Sequence, residues 1–401
     1  MEIAELNTLA CDTGGRNYNF VQIIAADGTC GYSEYNEGFG SPGITTVIEA
    51  LRARLIGENC MDHERLFNLL LGPIRPAYTG VVAEGLGAIE NALLDLKAKL
   101  LGVPCYELLG GKMRDRIRVY WSHCATYRIT RPKFYPPVIT SLDDVKAMGA
   151  EVRDKGFSAL KTNMFTYDDD GIRGWSPGFS SPFAPELNVD RKVLDDLCRH
   201  LEALREGAGD DMDILLDLNF NAKTEGYLKI LRALKDFDLF WVEIDTPSAP
   251  ALAYIRDHSS HPISSCETLV GGPAFLPYLQ SQAVDVAIVD AVWNGVWQSM
   301  KLANMADAYQ VNVAPHNFYG HLATMMNAHF ATAVPNFRIF ETDIDRLPGD
   351  KEIFTREPNI VDGFLIVDDT PGWGTEPDLA AVAARPPFKG RGTIGQTRKS
   401  S

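Results

Sequence analysis

Five carboxylates and one histidine recur along the second half of this chain, each closing a short apolar run. Asp217 ends ILLD, Glu243 ends FWVE, Glu267 ends ISSCE, Asp290 ends VAIVD, His316 ends VNVAPH and Glu341 ends RIFE. The steps from Asp217 are 26, 24, 23, 26 and 25 residues, about one strand plus one helix each. Repetition at that interval brings corresponding positions to one place. Asp217, Glu243 and Glu267, facing one another without a cation, would repel and raise each other's pKa values. A hard divalent cation resolves that conflict, and an oxygen-only donor set favours Mg²⁺, with Mn²⁺ the other candidate. Any one of the three alone would read as a helix cap or a lysine partner; three at unit spacing favour a metal.

Asp290 and His316 fall on neighbouring runs. A carboxylate on one ring nitrogen fixes the tautomer and raises the basicity of the other, which suits a general base. A structural histidine starting the next helix is the plainer reading, and the adjacent carboxylate trio favours the dyad. By period-two alternation Lys161 and Asn163 share a face. Lys161 can offset charge on an anionic substrate, whereas Asn163 can only donate or accept hydrogen bonds. Asn219, on the face of Asp217, is a substrate- or ligand-orienting amide. Glu341 is either a hydrogen-bond partner for substrate or half of a salt bridge, with nothing to choose between them. His123 and Trp293, near strand ends, are candidate pocket residues that could equally be core.

The elements that must position these groups follow a strand–helix rhythm. Strands are expected at 116–122, 159–164, 214–219, 240–245, 263–267, 284–290, 311–316 and 338–341, with helical periodicity between them, as at 144–155, 191–205 and 296–309. Eight such units make a (β/α)8 barrel, whose reactive side chains sit at the C-terminal strand ends. The stretch 165–187, rich in Asp, Gly, Ser and Pro, is too long for an ordinary connection and reads as a lid at that rim. Ahead of the barrel, residues 20–25 and 30–34 form a hairpin about Asp27-Gly28, followed by helical stretches at 45–55, 62–71 and 83–101. The expected architecture is therefore α/β: a TIM-type barrel over 113–351 with an α+β domain over 1–112, to which 352–388 returns. Residues 389–401 are expected to be a disordered tail.

At 401 residues the chain is too long for one ordinary core, which fits two domains. A net charge of −15 argues against nucleic acid as a partner. No apolar run is long enough for a membrane helix, and the first residues lack the pattern of a signal peptide. Seven scattered cysteines without a CxxC pair suit a reducing compartment. The expectation is a cytoplasmic enzyme acting on a small carboxylate, with no membrane or nucleic-acid partner.

These residues resemble the enolase superfamily, specifically its mandelate racemase-like subgroup. AIENALLDLKAKLLGVPCYELLGG at 88–111 resembles the end of that family's capping domain. LLDLN, WVEIDTP and SSCETL resemble its metal-ligand strands, VDVAIVD and APHNF its Asp-His dyad, and PGWGTEP its closing segment. The resemblance implies a capping domain over a modified barrel, assembly as a homo-oligomer, and abstraction of the proton α to a carboxylate with the enediolate held on Mg²⁺. It also implies specificity from capping-domain loops, here 16–19 with Asn17 and the glycine-rich 37–42. The sequence departs from the subgroup at Lys161-Thr162-Asn163, where racemase-type members carry Lys-x-Lys with the second lysine as a base. Without that base, His316 alone could perform both steps of a syn β-elimination. The expected activity is dehydration of an aldonate-like sugar acid to a 2-keto-3-deoxy acid. An epimerase or lactone cycloisomerase on the same platform, or an inactive binding protein, are the other readings.

Overall fold

The structure is a computed structural model and describes residues 1–38, 40–74, 77–179, 184–347 and 349–388. The expected tail at 389–401 and part of the 37–42 and 165–187 segments lie outside the described residues. The chain opens with a three-stranded antiparallel sheet, β1 (Ile3–Asp12), β2 (Asn17–Ala25) and β3 (Cys30–Tyr35), in that spatial order. The hairpin read from the sequence is β2–β3; β1 is an additional strand. Ile3, Leu6, Val21 and Ile23 of this sheet pack with Leu86, Ile89, Leu93 and Leu96 of the long helix Gly80–Leu101. That helix is buried nearly all round from Glu84 to Leu96, because the sheet covers one side and the rest of the molecule the other.

The second part is a closed ring of parallel strands. It runs β4 (Ile117–Trp121), β5 (Ala159–Thr162) and then, past the hairpin β6 (Phe165–Asp168) and β7 (Gly171–Gly174), β8 (Asp213–Asp217). It continues through β9 (Leu239–Glu243), β10 (Ile263–Ser265), β11 (Val286–Val289), β12 (Asn312–Pro315) and β13 (Phe340–Thr342). β13 pairs in parallel with β4, and a parallel bridge from Val313 to Phe337 joins β12 to the approach of β13. Eight parallel strands thus return on themselves.

Tyr120, Ala159, Leu215, Trp241, Ile288, Ala314 and Ile339 fill the interior as one apolar cluster. Side chains alternate along a strand, so the residues two positions later face inward as well. Those residues are Ser122, Lys161, Asp217, Glu243, Asp290, His316 and Glu341. The polar mouth is the next layer of the same barrel core.

Two segments differ from expectation. β6–β7 lies in the stretch read as a lid, where no strand was expected, and His200 ties it down. Thr162 donates its hydroxyl to Cys124 O at 3.0 Å and so accepts from His200 Nε2 at 2.9 Å, leaving His200 Nδ1 to accept the Tyr167 hydroxyl at 2.7 Å. The C-terminal stretch first forms β14 (Asn359–Val361) and β15 (Phe364–Ile366), and β15 pairs antiparallel with the start of β4. It meets the first domain on both sides of this hairpin: Phe354 packs on Tyr18 and Phe20, centroids 5.7 and 5.9 Å away, and Trp373 donates its amide to Asp95 at 2.9 Å and its indole N–H to Tyr32 O at 3.0 Å. Among the described residues no helix is long and apolar enough to cross a membrane.

Candidate active site

A cavity of about 520 Å³ opens at the C-terminal strand ends. Its floor is Lys161, Asp217, Glu267, His316 and Glu341; Trp175, Phe179 and Phe220 stand at the lid side, and Arg16 enters from the first domain. Lys161 is buried among carboxylates, its Nζ 2.9 Å from Glu341, 3.1 Å from Glu243 and 3.9 Å from Asp217. Of the two readings of Glu341, the structure shows the ion pair, and Ser122 and the Asn317 amide also donate to it at 2.6 and 2.9 Å. Burial opposes a charged Lys161, but Glu243 and Glu341 overcome it and hold its pKa well above the usual value.

The three carboxylates read as metal ligands carry more negative charge than Lys161 balances. Burial pushes Glu243 well above the carboxylate range despite Lys161, and pushes Glu267 up to about 8 although His316 pulls the other way. Asp245, two residues beyond Glu243, is driven to about 7 by burial and by Glu243 and Asp217. Glu243 Oε1 is buried with no hydrogen-bond partner among the described residues. An orphaned carboxylate oxygen beside two further carboxylates fits a hard divalent cation. Among the described residues no trio of His, Cys, Asp or Glu side chains is already drawn together as a cage. Lys161 sits between two of the carboxylates, holding Glu243 and standing near Asp217. Asn219 donates to both oxygens of Asp217, by its amide at 2.8 Å and its side chain at 2.9 Å, and Asn163 donates to Oδ2 at 3.2 Å.

His316 Nδ1 lies 2.7 Å from Asp290 Oδ2, and the Tyr319 hydroxyl donates to the same oxygen. The other oxygen takes the amides of Val292 and Trp293 at 2.8 and 2.9 Å. His316 Nε2 faces Glu267 at 3.5 Å. Burial lowers the His316 pKa, but Glu267 and the Asp290 hydrogen bond outweigh it and raise the ring to about 10. Trp293 stands edge-on to His316, centroids 5.9 Å apart, with a buried indole N–H that has no partner among the described residues.

Asn163 lines the cavity, but its amide is spent on Asp217 and on the Thr126 hydroxyl at 2.8 Å. His123 lines it too, held at 2.8 Å by Asp343. Asn17 does not line it: its side chain makes paired hydrogen bonds with the backbone of Phe388, both 3.1 Å. The neighbouring Arg16 takes the place expected for Asn17, donating to Phe318 O at 2.6 Å. Sequence reasoning was one residue out there, because a turn does not reveal which side chain points across it. It also missed Tyr319, Asp343 and Tyr127, whose partners lie far away in the chain. The only sequence signal for Asp343 was its inward parity with Glu341.

The structure is a parallel (β/α)8 barrel joined to an α+β domain, with carboxylates, a lysine and a histidine–aspartate pair gathered at the barrel mouth. Residues 7–110 match the mandelate racemase / muconate lactonizing enzyme N-terminal domain, and residues 144–381 the enolase C-terminal domain-like family. The chain belongs to this family, the mandelate racemase-like branch of the enolase superfamily. It is 28% identical over 388 residues to a D-xylonate dehydratase of Haloferax volcanii, spanning 96% of this chain and 88% of the relative. A D-galactonate dehydratase family member of Streptomyces bingchenggensis is 28% identical over 407 residues, spanning 94% and 91%. A crystal structure from Burkholderia xenovorans, bound to magnesium and fumarate, superposes with a TM-score of 0.96 at 61% identity over 98% of each chain. That protein is provisionally named an L-alanine-DL-glutamate epimerase.

Proposed function

We propose that the chain is a Mg²⁺-dependent sugar-acid dehydratase, converting an aldonate-like acid to its 2-keto-3-deoxy product. The observation that carries this reading is the asymmetry of the proton-transfer groups. His316 is a base fixed by Asp290 and Tyr319, while Asn163, on the strand that carries the second base in racemases, is an amide engaged with Asp217 and Thr126. Inverting a carbon needs a proton taken on one face and returned on the other. β-Elimination needs one base and a protonated leaving group.

Asp217, Glu243 and Glu267 would hold the Mg²⁺, which when bound would acidify the proton α to the substrate carboxylate. His316 takes that proton at Nε2 while Asp290 and Tyr319 hold the ring. Lys161 adds positive charge where the substrate carboxylate gains negative charge. Trp293 offers its buried indole N–H to a substrate oxygen, and Trp175 and Phe179 of the lid stretch, with Phe220 beyond β8, exclude water.

The relative named an epimerase makes isomerisation the second reading. A stereochemical library of aldonates and aldarates incubated with Mg²⁺ in D₂O separates the two. Dehydration yields a keto acid that semicarbazide traps; epimerisation puts deuterium into recovered acid and yields none. His316→Asn should lower turnover by roughly 10²–10⁴-fold and leave Mg²⁺ binding intact. Near-normal turnover in that variant would refute the assignment.

A further inference from the structure

The cavity contains a second histidine–aspartate pair to which the reading above gives no task. His123 Nδ1 lies 2.8 Å from Asp343 Oδ1, and the Tyr127 hydroxyl donates to Asp343 Oδ2 at 2.9 Å. Asp343 is only 3% exposed, so its oxygens answer to these two partners rather than to water. The His123 ring lies flat on Tyr127, centroids 4.5 Å apart and planes 15° from parallel. The Asp343 hydrogen bond, the Tyr127 stack and Ser122 Oγ, 3.2 Å from Nδ1, therefore fix where the imidazole points.

The backbone is also bent to place it. His123 has φ of 52° and Ala125 φ of 68°, left-handed values that neither residue prefers. Such strain persists only where surrounding structure imposes it, and it gathers at working sites. Asn219, φ 45°, and Cys266, φ 90° and next to Glu267, show the same strain at the same rim.

With Nδ1 held by a carboxylate, Nε2 is the nitrogen of His123 left to meet a ligand in the cavity it lines. His316 is built on the same plan, with Asp290 at Nδ1. The two rings flank Phe318, at 4.9 Å for His316 and 6.5 Å for His123. Their strands, β12 and β4, are separated by β13 alone. A substrate whose carboxylate lay on the β8–β10 side would extend across the cavity toward this second pair.

The geometry points to His123, oriented by Asp343 and Tyr127, as the acid that protonates the departing 3-hydroxyl, so that two histidines share the elimination. This rests on the dehydratase reading. His316 takes the proton from C2, and that electron pair forms the C2–C3 double bond as the C3–O bond breaks. The leaving oxygen takes the proton from His123 Nε2 and departs as water. The enol then ketonises: C3 gains the proton held by His316, the enol hydroxyl releases one to solvent, and His123 takes one back. No oxidant or reductant is involved.

The test uses the full-length protein with Mg²⁺ and two probes. One is the acid of the aldonate–aldarate library that the wild type dehydrates; the other is its 3-deoxy-3-fluoro counterpart, whose fluoride needs far less protonation to leave. His123→Gln should lose roughly 10²–10³-fold in keto-acid formation from the hydroxy acid. It should keep exchange of the α-proton with D₂O and fluoride release within about threefold of wild type, and Asp343→Asn should show the same split more weakly. Keto-acid formation near wild type in His123→Gln would overturn the proposal. So would loss of α-exchange and fluoride release together with dehydration, in a variant whose circular dichroism and Mg²⁺ binding are normal. Should His123→Gln not fold, the same partition is read in Asp343→Asn, and an unsplit loss there has the same force. A wild type that forms keto acid from no library member refutes the dehydratase reading itself, a result distinct from an unsplit loss in the variants.

Discussion

Asp290 serves two structures at once. One oxygen holds His316 and Tyr319, and the other accepts the amides of Val292 and Trp293 that begin the next helical turn. An amide has one acceptor oxygen where the carboxylate has two, so Asp290→Asn must abandon one of these duties. We expect kcat to fall by about 10²-fold or more, with a much smaller change in KM, measured on whichever acid the library identifies. Lys161 is the converse case, one cation balancing several anions. Lys161→Met leaves Glu243 and Glu341 buried without their cation, and breaking a buried pair costs about 3–5 kcal/mol. Thermal denaturation of the metal-free variant should show that loss, and Mg²⁺ should raise its Tm by more than it raises that of wild type.

The helices of the barrel depend on elements outside it. The helix Val296–Ala308 starts at Gly295, which has no side chain to cap it. Asn91, on the helix Gly80–Leu101, supplies the cap, accepting from the Val296 amide at 2.7 Å and donating to Ala291 O at 3.0 Å. Asn91→Ala strands both groups in a buried position and should cost about 1–3 kcal/mol in urea unfolding. Such long-range caps are illegible in sequence, because nothing near Val296 announces a partner on another element. What was legible was periodic. Strand ends stood out because Asp217, Glu243, Asp290 and His316 each follow an apolar run with a single inward parity. β6–β7 was not legible, since four-residue strands such as FTYD and GIRG carry too little alternation to rise above a polar loop. β1 escaped notice because its burial pattern mixes exposed and half-buried positions along its length. His123 could be named only as a guess, since its meaning depends on Asp343, 220 residues downstream, arriving at the end of the last barrel strand beside the first.

Across the whole molecule, two buried carboxylates of the first domain join it to the second. Glu90 accepts the amides of Trp297 and Gln298, and Glu34 those of Gly320 and Ala323 at the start of the helix His321–Ala333. Gly295 and Gly320 make room for them: a Cβ would lie 2.2 Å from Glu90 Oε2 at the first and 2.6 Å from Glu34 Oε2 at the second. Burial raises both carboxyl groups to about 7, against the opposing pull of the helix amides and, at Glu90, the Gln298 side chain. A carboxyl whose folded pKa exceeds its unfolded value of 4.5 stabilises the fold fully below that value. The contribution is lost as pH climbs through about 7. Replacing both by glutamine should therefore shift the Tm difference in favour of the variant as pH rises from about 5 to 8. Thermal melts across that range check it, and a pH-independent difference would refute it. The closing Trp373 adds a constraint of another kind. It adds to Asp95 and Tyr32 from 278 and 341 residues downstream, so a nascent chain has the Lys99 and Tyr32 amide contacts of Asp95 early but lacks these two hydrogen bonds through most of its synthesis. The earlier-made of the two domains is thus among the last to be finished, and chains stopped short of Trp373 should be cleared by proteases although every candidate catalytic residue has already been made.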